Sequence, residues 1–188
     1  MKSNVVHVFI DASNIWNAQQ AKGMLFDYKK LISFLKREHA ADTIKAYYYT
    51  AYPKDGTRDY DVSSKHSFYT YLKKGLNFVV RKKPLKQIKI LTDEGIGIKE
   101  KGDMDVELTL DVMHTKDQFD TALLFTGDSD YLALVNYLKN GGKKVFIYSS
   151  ENNISSELRT GGHGYRDVLK IQEDIWGKKL NFRNQKNK

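Results

Sequence analysis

A chain of 188 residues without a Pro- or Ser-rich linker is of a size to bury one core, so a single domain is expected. It holds no cysteine, which rules out disulfides and thiolate metal sites, and no run approaching the roughly 18 apolar residues that span a bilayer, which argues against a membrane partner. Against 23 aspartates and glutamates stand 31 lysines and arginines; the formal charge of +8 favours polyanionic partners, nucleic acid first, with a merely solvated basic surface as the alternative on charge alone.

Met1-Lys2-Ser3-Asn4 leads into an apolar run too short for a signal-peptide core and without a small-residue cleavage site, so no export and a cytoplasmic location are expected. Asn4 to Ile10 reads as a buried strand that ends in a loop at Asp11-Ala12-Ser13-Asn14. Leu25 to Arg37 carries Leu31, Ile32, Phe34 and Leu35 at helical spacing, with Asp27 as a cap near its start. Thr43 to Tyr52, β-branched and aromatic up to Pro53, predicts the second strand. A helix over Tyr60 to Leu72 and a short strand over Leu76 to Val80 follow. Lys86 to Ile98 alternates weakly about Asp93-Glu94-Gly95, the pattern of a small hairpin projecting from the core, or of a loop.

Met104, Val106, Leu108, Leu110 and Val112 alternate as on a half-buried strand. The same residues also suit a helix wedged between the sheet and its neighbours, with Val106, Leu110 and Met113 on one face and Leu108 and Val112 nearly opposite. Periodicity leaves both open. Beyond it, Thr121 to Phe125 predicts a strand, Asp130 to Lys139 a helix closed by Gly141-Gly142, and Val145 to Tyr148 a further strand. Strand and helix in alternation define an α/β domain: a central parallel sheet flanked by helices on both faces, here with a small β-hairpin insertion. Residues 1–176 form that domain, and the basic stretch 177–188 is expected to be a tail.

In an open parallel sheet, ligands bind beyond the carboxyl ends of the strands, and acids there are candidates by position. Asp11 directly follows the first strand, and Asp128 and Asp130 follow the strand Thr121 to Phe125 through Thr126-Gly127. Three carboxylates converge if these strands are neighbours. Such a cluster repels itself by a few kcal/mol at an intermediate dielectric, so it calls for a cation or raised pKa values, and Mg²⁺ or Mn²⁺ suits hard oxygen donors. Taken singly, each acid has a plainer role: Asp128 or Asp130 as a helix cap, Asp11 as a turn residue with Asn14, Asp103 and Asp105 as first-turn acids.

Together these segments are more specific than any one of them. Phe9-Ile10-Asp11-Ala12-Ser13-Asn14-Ile15, Lys101-Gly102-Asp103-Met104-Asp105-Val106 with Asp111, and Thr126-Gly127-Asp128-Ser129-Asp130-Tyr131 resemble, in order, the three signatures of NYN domains, with closer likeness to the LabA or DUF88 branch. The resemblance runs from about Val5 through Tyr148, and Ser155 to Arg159 looks like the usual final helix. It implies a PIN-like fold, a helix over Asp105 to Met113, and a carboxylate-held Mg²⁺ or Mn²⁺ that cleaves RNA. By position it implies Asp11, Asp105, Asp128 and Asp130 as catalytic metal ligands, with Asn14 as a polar neighbour of metal or substrate. Asp111 is a further candidate. The second motif carries one residue more than the common Lys-Gly-x-Asp-Val form, so it offers both Asp103 and Asp105; Asp105, followed by Val106, takes the family position.

Metal-assisted displacement on phosphate needs no histidine. His7, inside a strand, reads as structural, and the other histidines lie outside the motifs. For a substrate groove, Lys73, Lys74, Arg81, Lys82, Lys83 and Lys86 could grip phosphates, with Tyr69 and Tyr71 for stacking, while Tyr47 and Tyr49 are packing residues. The expected partner is RNA, single-stranded or structured, and the sequence leaves a homodimer open. A haloacid-dehalogenase-type phosphatase fits poorly, with Ser13 where its second acid belongs, and a von Willebrand-type adhesion site fails at Ile15. The remaining rival is a catalytically silent or slow module that binds RNA or a protein partner on the same fold.

Overall fold

The computed structural model describes residues 3–54, 57, 63–92, 95–172 and 174–180. In chain order, β1 (Val5–Asp11), α1 (Ala12–Lys22), β2 (Met24–Phe26), α2 (Tyr28–Glu38) and β3 (Thr43–Tyr52) lead to α3 (Ser63–Thr70), which runs on as a π-type turn through Gly75. After these come β4 (Val79–Pro84), β5 (Lys86–Thr92), β6 (Gly95–Lys101), α4 (Asp105–Thr115) and β7 (Thr121–Phe125). The chain continues through α5 (Leu132–Asn140), β8 (Lys144–Ser149), α6 (Ser156–Gly161), β9 (Gly164–Asp167) and β10 (Trp176–Lys179). No helix among the described residues is long and apolar enough to cross a membrane.

Six strands form one sheet in the order β4-β3-β1-β7-β8-β9, every neighbouring pair parallel. Alternation along each strand divides the core in two. Val6, Val8 and Ile10 of β1, with Ala46, Tyr48, Leu123 and Phe125, face α1, α2 and α3 through Ile15, Leu31, Leu35 and Leu72. Phe9, with Tyr47, Tyr49, Ala122 and Leu124, faces α4, α5 and α6 through Leu108, Val112, Val135, Leu138 and Leu158. Helices therefore cover both faces, as expected for a parallel sheet whose strands are buried on each side. The hairpin β5–β6 stands apart as its own antiparallel pair, with Leu91 and Ile96 largely exposed.

Several local expectations are corrected. A helix, α1, follows the first strand where a loop was expected; it buries only Ile15, Ala18 and Gln19, too few apolar positions to show a 3.6-residue period. α2 begins at Tyr28, because Asp27 caps it by accepting the Lys30 N–H, and the residues before it pair with β10. β4 starts three residues later than the expected strand: the π-type turn occupies the chain through Gly75, and Asn77 takes a left-handed φ of 56°. The chain after Asp128 makes a 3-10 turn over Ser129–Tyr131 before α5 begins at Leu132. Met104 to Met113 resolves as helix from Asp105, but it is not wedged: Leu108 and Val112 are buried while Val106 and Leu110 face solvent.

The boundary expected between 176 and 177 cuts through β10. Trp176 stacks on Phe26 with ring centroids 4.3 Å apart, and the Leu180 N–H donates to Gly23 O, so the basic stretch is anchored at least to residue 180. Residues 181–188 of the expected tail, the first turn of the expected helix at 60–62, and Asp93-Glu94 of the hairpin turn lie outside the described residues.

Candidate functional site

Register explains how the acids meet. Ile10 of β1 is level with Phe125 of β7, so Asp11 and the segment that follows β7 emerge side by side at the carboxyl end of the sheet. α4 delivers Asp105 to the same place from its first turn. One carboxylate oxygen each from Asp105, Asp128 and Asp130 lies within 4.8 Å of the others, close enough to share a cation. Asp11 stands beside this trio: it is 7% exposed, and its charge and that of Asp105 act on one another.

Asp11, Asp105 and Asp128 are each held by a specific donor. Asp11 Oδ1 accepts from the Ser13 N–H at 3.0 Å and from Ser13 Oγ at 2.7 Å, which makes Asp11 the cap of α1 as well. Asp128 Oδ1 accepts the Asp130 N–H at 3.0 Å and so caps the 3-10 turn. Capping and clustering coexist here, because a carboxylate has more acceptor sites than one backbone N–H consumes. Tyr131, buried, donates to Asp105 Oδ1 at 2.6 Å. Burial raises the pKa of Asp105; Tyr131 opposes the rise, and the charges of Asp103, Asp128 and Asp130 add to it. Burial likewise raises Asp11, offset in part by hydrogen bonds from Ser13 and Asn14, with Asp105 pushing it further up. Repulsion of this kind is relieved when a cation enters.

Gly127 fixes the shape of the turn. A Cβ there would sit 2.1 Å from the carbonyl oxygen of Asn153, and the Ser155 N–H donates to Gly127 O at 2.9 Å. Asn14 joins the same construction: its Oδ1 accepts from Asn153 Nδ2 at 2.7 Å and from Ser149 Oγ at 3.1 Å. Asn14 thus ties α1 to the segment after β8. Ser13, Tyr131, Ser149 and Asn153, which hold the acids and their loops, were not singled out from sequence. Ser13 and Tyr131 lie within the quoted motifs, whereas nothing local marks the other two.

Two further acids are placed elsewhere. Asp103 lies outside the trio and is half-exposed, with Lys101 at 3.9 Å. Asp111 receives a two-pronged ion pair from Arg81, at 2.9 and 3.0 Å, together with the Tyr49 hydroxyl at 3.1 Å.

Among the basic residues, Lys83 pairs with Glu107 of α4, and Lys82 lies over the rings of Tyr52 and Tyr69. Topology separates the six. Arg81, Lys82, Lys83 and Lys86 stand toward the carboxyl end of β4 or just past it, with Arg81 level with Tyr49 and hence with Asp11. Lys73 and Lys74 precede β4 and lie toward the opposite end of the sheet. His7 packs among Phe9, Tyr47 and Phe119, away from the acids.

A family model described as the NYN domain matches residues 5–168. The chain is 29% identical over 174 residues to the low amplitude and bright protein LabA of Synechococcus elongatus, covering 89% of this chain and 86% of that protein. A crystal structure of a protein of unknown function from Vibrio parahaemolyticus superposes with a TM-score of 0.69 at 23% identity, covering 94% of this chain and 99% of that one, which shows a shared fold.

Proposed function

Because this chain belongs to the NYN domain family of PIN-like nucleases, we propose that it is a metal-dependent endoribonuclease acting at Asp11, Asp105, Asp128 and Asp130. The observation that carries this reading is the convergence of Asp105, Asp128 and Asp130 within 4.8 Å at the carboxyl end of the sheet, with buried Asp11 beside them. All four donors are hard carboxylate oxygens, a set that suits Mg²⁺ or Mn²⁺ rather than softer metals. When bound, such a cation supplies Lewis acidity, lowering the pKa of water and offsetting charge on a phosphoryl group.

The protein's own share is positioning. Ser13 orients Asp11, Tyr131 orients Asp105, and the Asp130 N–H orients Asp128. Lys82 and Lys86 are exposed beside this end of the sheet, where they can neutralise phosphates of a bound RNA strand. In-line attack with departure of the 3′ oxygen leaves a 5′ phosphate on the downstream fragment. A cytoplasmic location is consistent with such a substrate.

A cleavage assay on mixed RNA with Mn²⁺, run beside Asp11→Asn and Asp128→Asn, tests the reading. The native chain should cut and both variants should lose cutting by at least about a hundredfold, as expected when charge stabilisation at the reacting phosphate is removed. Native-rate cutting by Asp128→Asn, or no cutting by any form, would favour a silent module that binds RNA or protein through the same fold.

A further inference from the structure

Beside Asp11 lies a cavity of about 510 Å³ between α1, β3 and α3. We propose that it is a nucleobase pocket, accepting one unstacked base of the RNA next to the scissile phosphate and thereby choosing where the strand is cut, a role that rests on the ribonuclease reading above.

Size and lining fit a base. Pockets of a few hundred Å³ enclose ligands of nucleoside size. Trp16 stands at the wall, 43% exposed, and Tyr28, Tyr48 and Phe68 contribute rings set edge-to-face or tilted, 5.6 to 5.8 Å apart. The exposed ring of Trp16 can hold an unpaired base of any identity by stacking, while buried Tyr28 and Tyr48 supply apolar wall. Polar groups also line the cavity. Gln19 spends its side-chain oxygen on the Phe26 N–H at 2.8 Å, which fixes the amide and leaves its NH₂ as the group it can offer to an acceptor on a base edge. Lys65 also lines the cavity.

Position links the cavity to the acids. Ser13 is common to both, lining the cavity while its hydroxyl donates to Asp11 at 2.7 Å. Gly102 lines it from the other side, three residues ahead of Asp105, and a Cβ there would collide with Leu85 and Ala51 at 2.5 and 2.6 Å. A base lodged here leaves its own phosphate within one nucleotide of the acid cluster. A pocket for an unrelated small molecule would have no reason to share wall residues with two of the three acid-bearing segments.

The test separates base binding from cutting. A short labelled single-stranded RNA is titrated against the protein in EDTA, with one abasic position walked along the strand. The native chain should lose between about fivefold and a hundredfold in affinity when one particular position is abasic. Trp16→Ala should bind the intact strand with a similar loss and no longer respond to that position, while Trp16→Phe, which keeps a ring, should recover most of the affinity and the response. Trp16 is partly exposed, so these variants should melt like the native chain, checked by the emission of buried Trp176.

Absence of RNA binding in EDTA, a flat abasic scan, or losses that simply add in Trp16→Ala would overturn the pocket. Adding Mn²⁺ then distinguishes the two readings. Unchanged cut sites in Trp16→Ala also overturn the pocket while leaving the nuclease intact, whereas a position-specific abasic response without any cutting sustains base binding and defeats the nuclease.

Discussion

Tyr131 and Asp105 are joined by a 2.6 Å hydrogen bond that ties the 3-10 turn after β7 to the first residue of α4. With the phenol buried and the carboxylate partly so, the bond both aims Asp105 and opposes the rise of its pKa. Tyr131→Phe should therefore cost stability on the order of 1–3 kcal/mol, the range for losing a bond to a charged group. It should also move the pH at which Mn²⁺ binding is half lost upward. Melting curves with and without Mn²⁺ across pH 4 to 7 check both effects, and unchanged curves would mean that Asp105 is oriented by something else.

His7 should give the fold a pH dependence whose sign follows from its burial. Burial, with Lys45 assisting, lowers its pKa from 6.5 to about 4, and its Nδ1 has no hydrogen-bond partner among the described residues. Between those values the unfolded chain binds more protons than the folded one. Its stability contribution is therefore complete above about 6.5 and lost as pH falls towards 4, up to about 3 kcal/mol at roughly 1.4 kcal/mol per decade. Burial lowers His39 too, which adds in the same direction. Asp11 and Asp105, raised in the folded state, contribute the opposite slope, losing stability as pH rises through their folded values. Denaturant titrations should show His7→Phe with a flatter acid limb than the native chain; equal slopes would remove His7 from the account.

Charge reversal should distinguish the two groups of lysines. Lys82 and Lys86 stand at the acids' end of the sheet and Lys73 and Lys74 toward the other. Lys82→Glu with Lys86→Glu should weaken RNA binding and lower the slope of log affinity against log salt by about 0.7 for each phosphate no longer neutralised. Lys73→Glu with Lys74→Glu should change affinity less. The reverse ranking would place the RNA path across the far edge of β4.

Gly127→Ala should damage the site through backbone alone. Its Cβ would meet a carbonyl oxygen 2.1 Å away, which the loop can relieve only by moving apart. A loss of about 1–3 kcal/mol is expected, as for other overpacked positions, together with a weaker rise of melting temperature on adding Mn²⁺. A native-like response to Mn²⁺ would show that the trio tolerates displacement of the turn.

The strands were readable because β-branched and aromatic residues alternate across a sheet buried on both faces. Asp11, Asp128 and Asp130 were readable because their place follows from a strand's end. α1 was not, since Asn17, Gln19 and Gln20 occupy it without a clear apolar stripe. Four-residue β9 and β10 carry too little pattern to be seen, and β10 depends on Trp176 meeting Phe26 about 150 positions away in the sequence. The cavity was invisible for a related reason. Trp16, Tyr28, Tyr48 and Phe68 belong to four separate elements, and on the strand Tyr48 looks like any core tyrosine.

The stretch after β8 is fastened at two places, to α1 through Asn153, which bonds Asn14 and Asn17, and to the acid-bearing turn through the Ser155 N–H to Gly127 O. Two anchors of this kind remove the freedom of the acid-bearing turn to fluctuate independently of the first turn of α1. The two should open together, as one cooperative unit, so their amide protons should exchange with solvent at a common opening free energy. A cation settling among the aspartates would then slow exchange at Ser155, a residue that contributes no oxygen to the trio, and the amide of Ser155 becomes a remote reporter of occupancy.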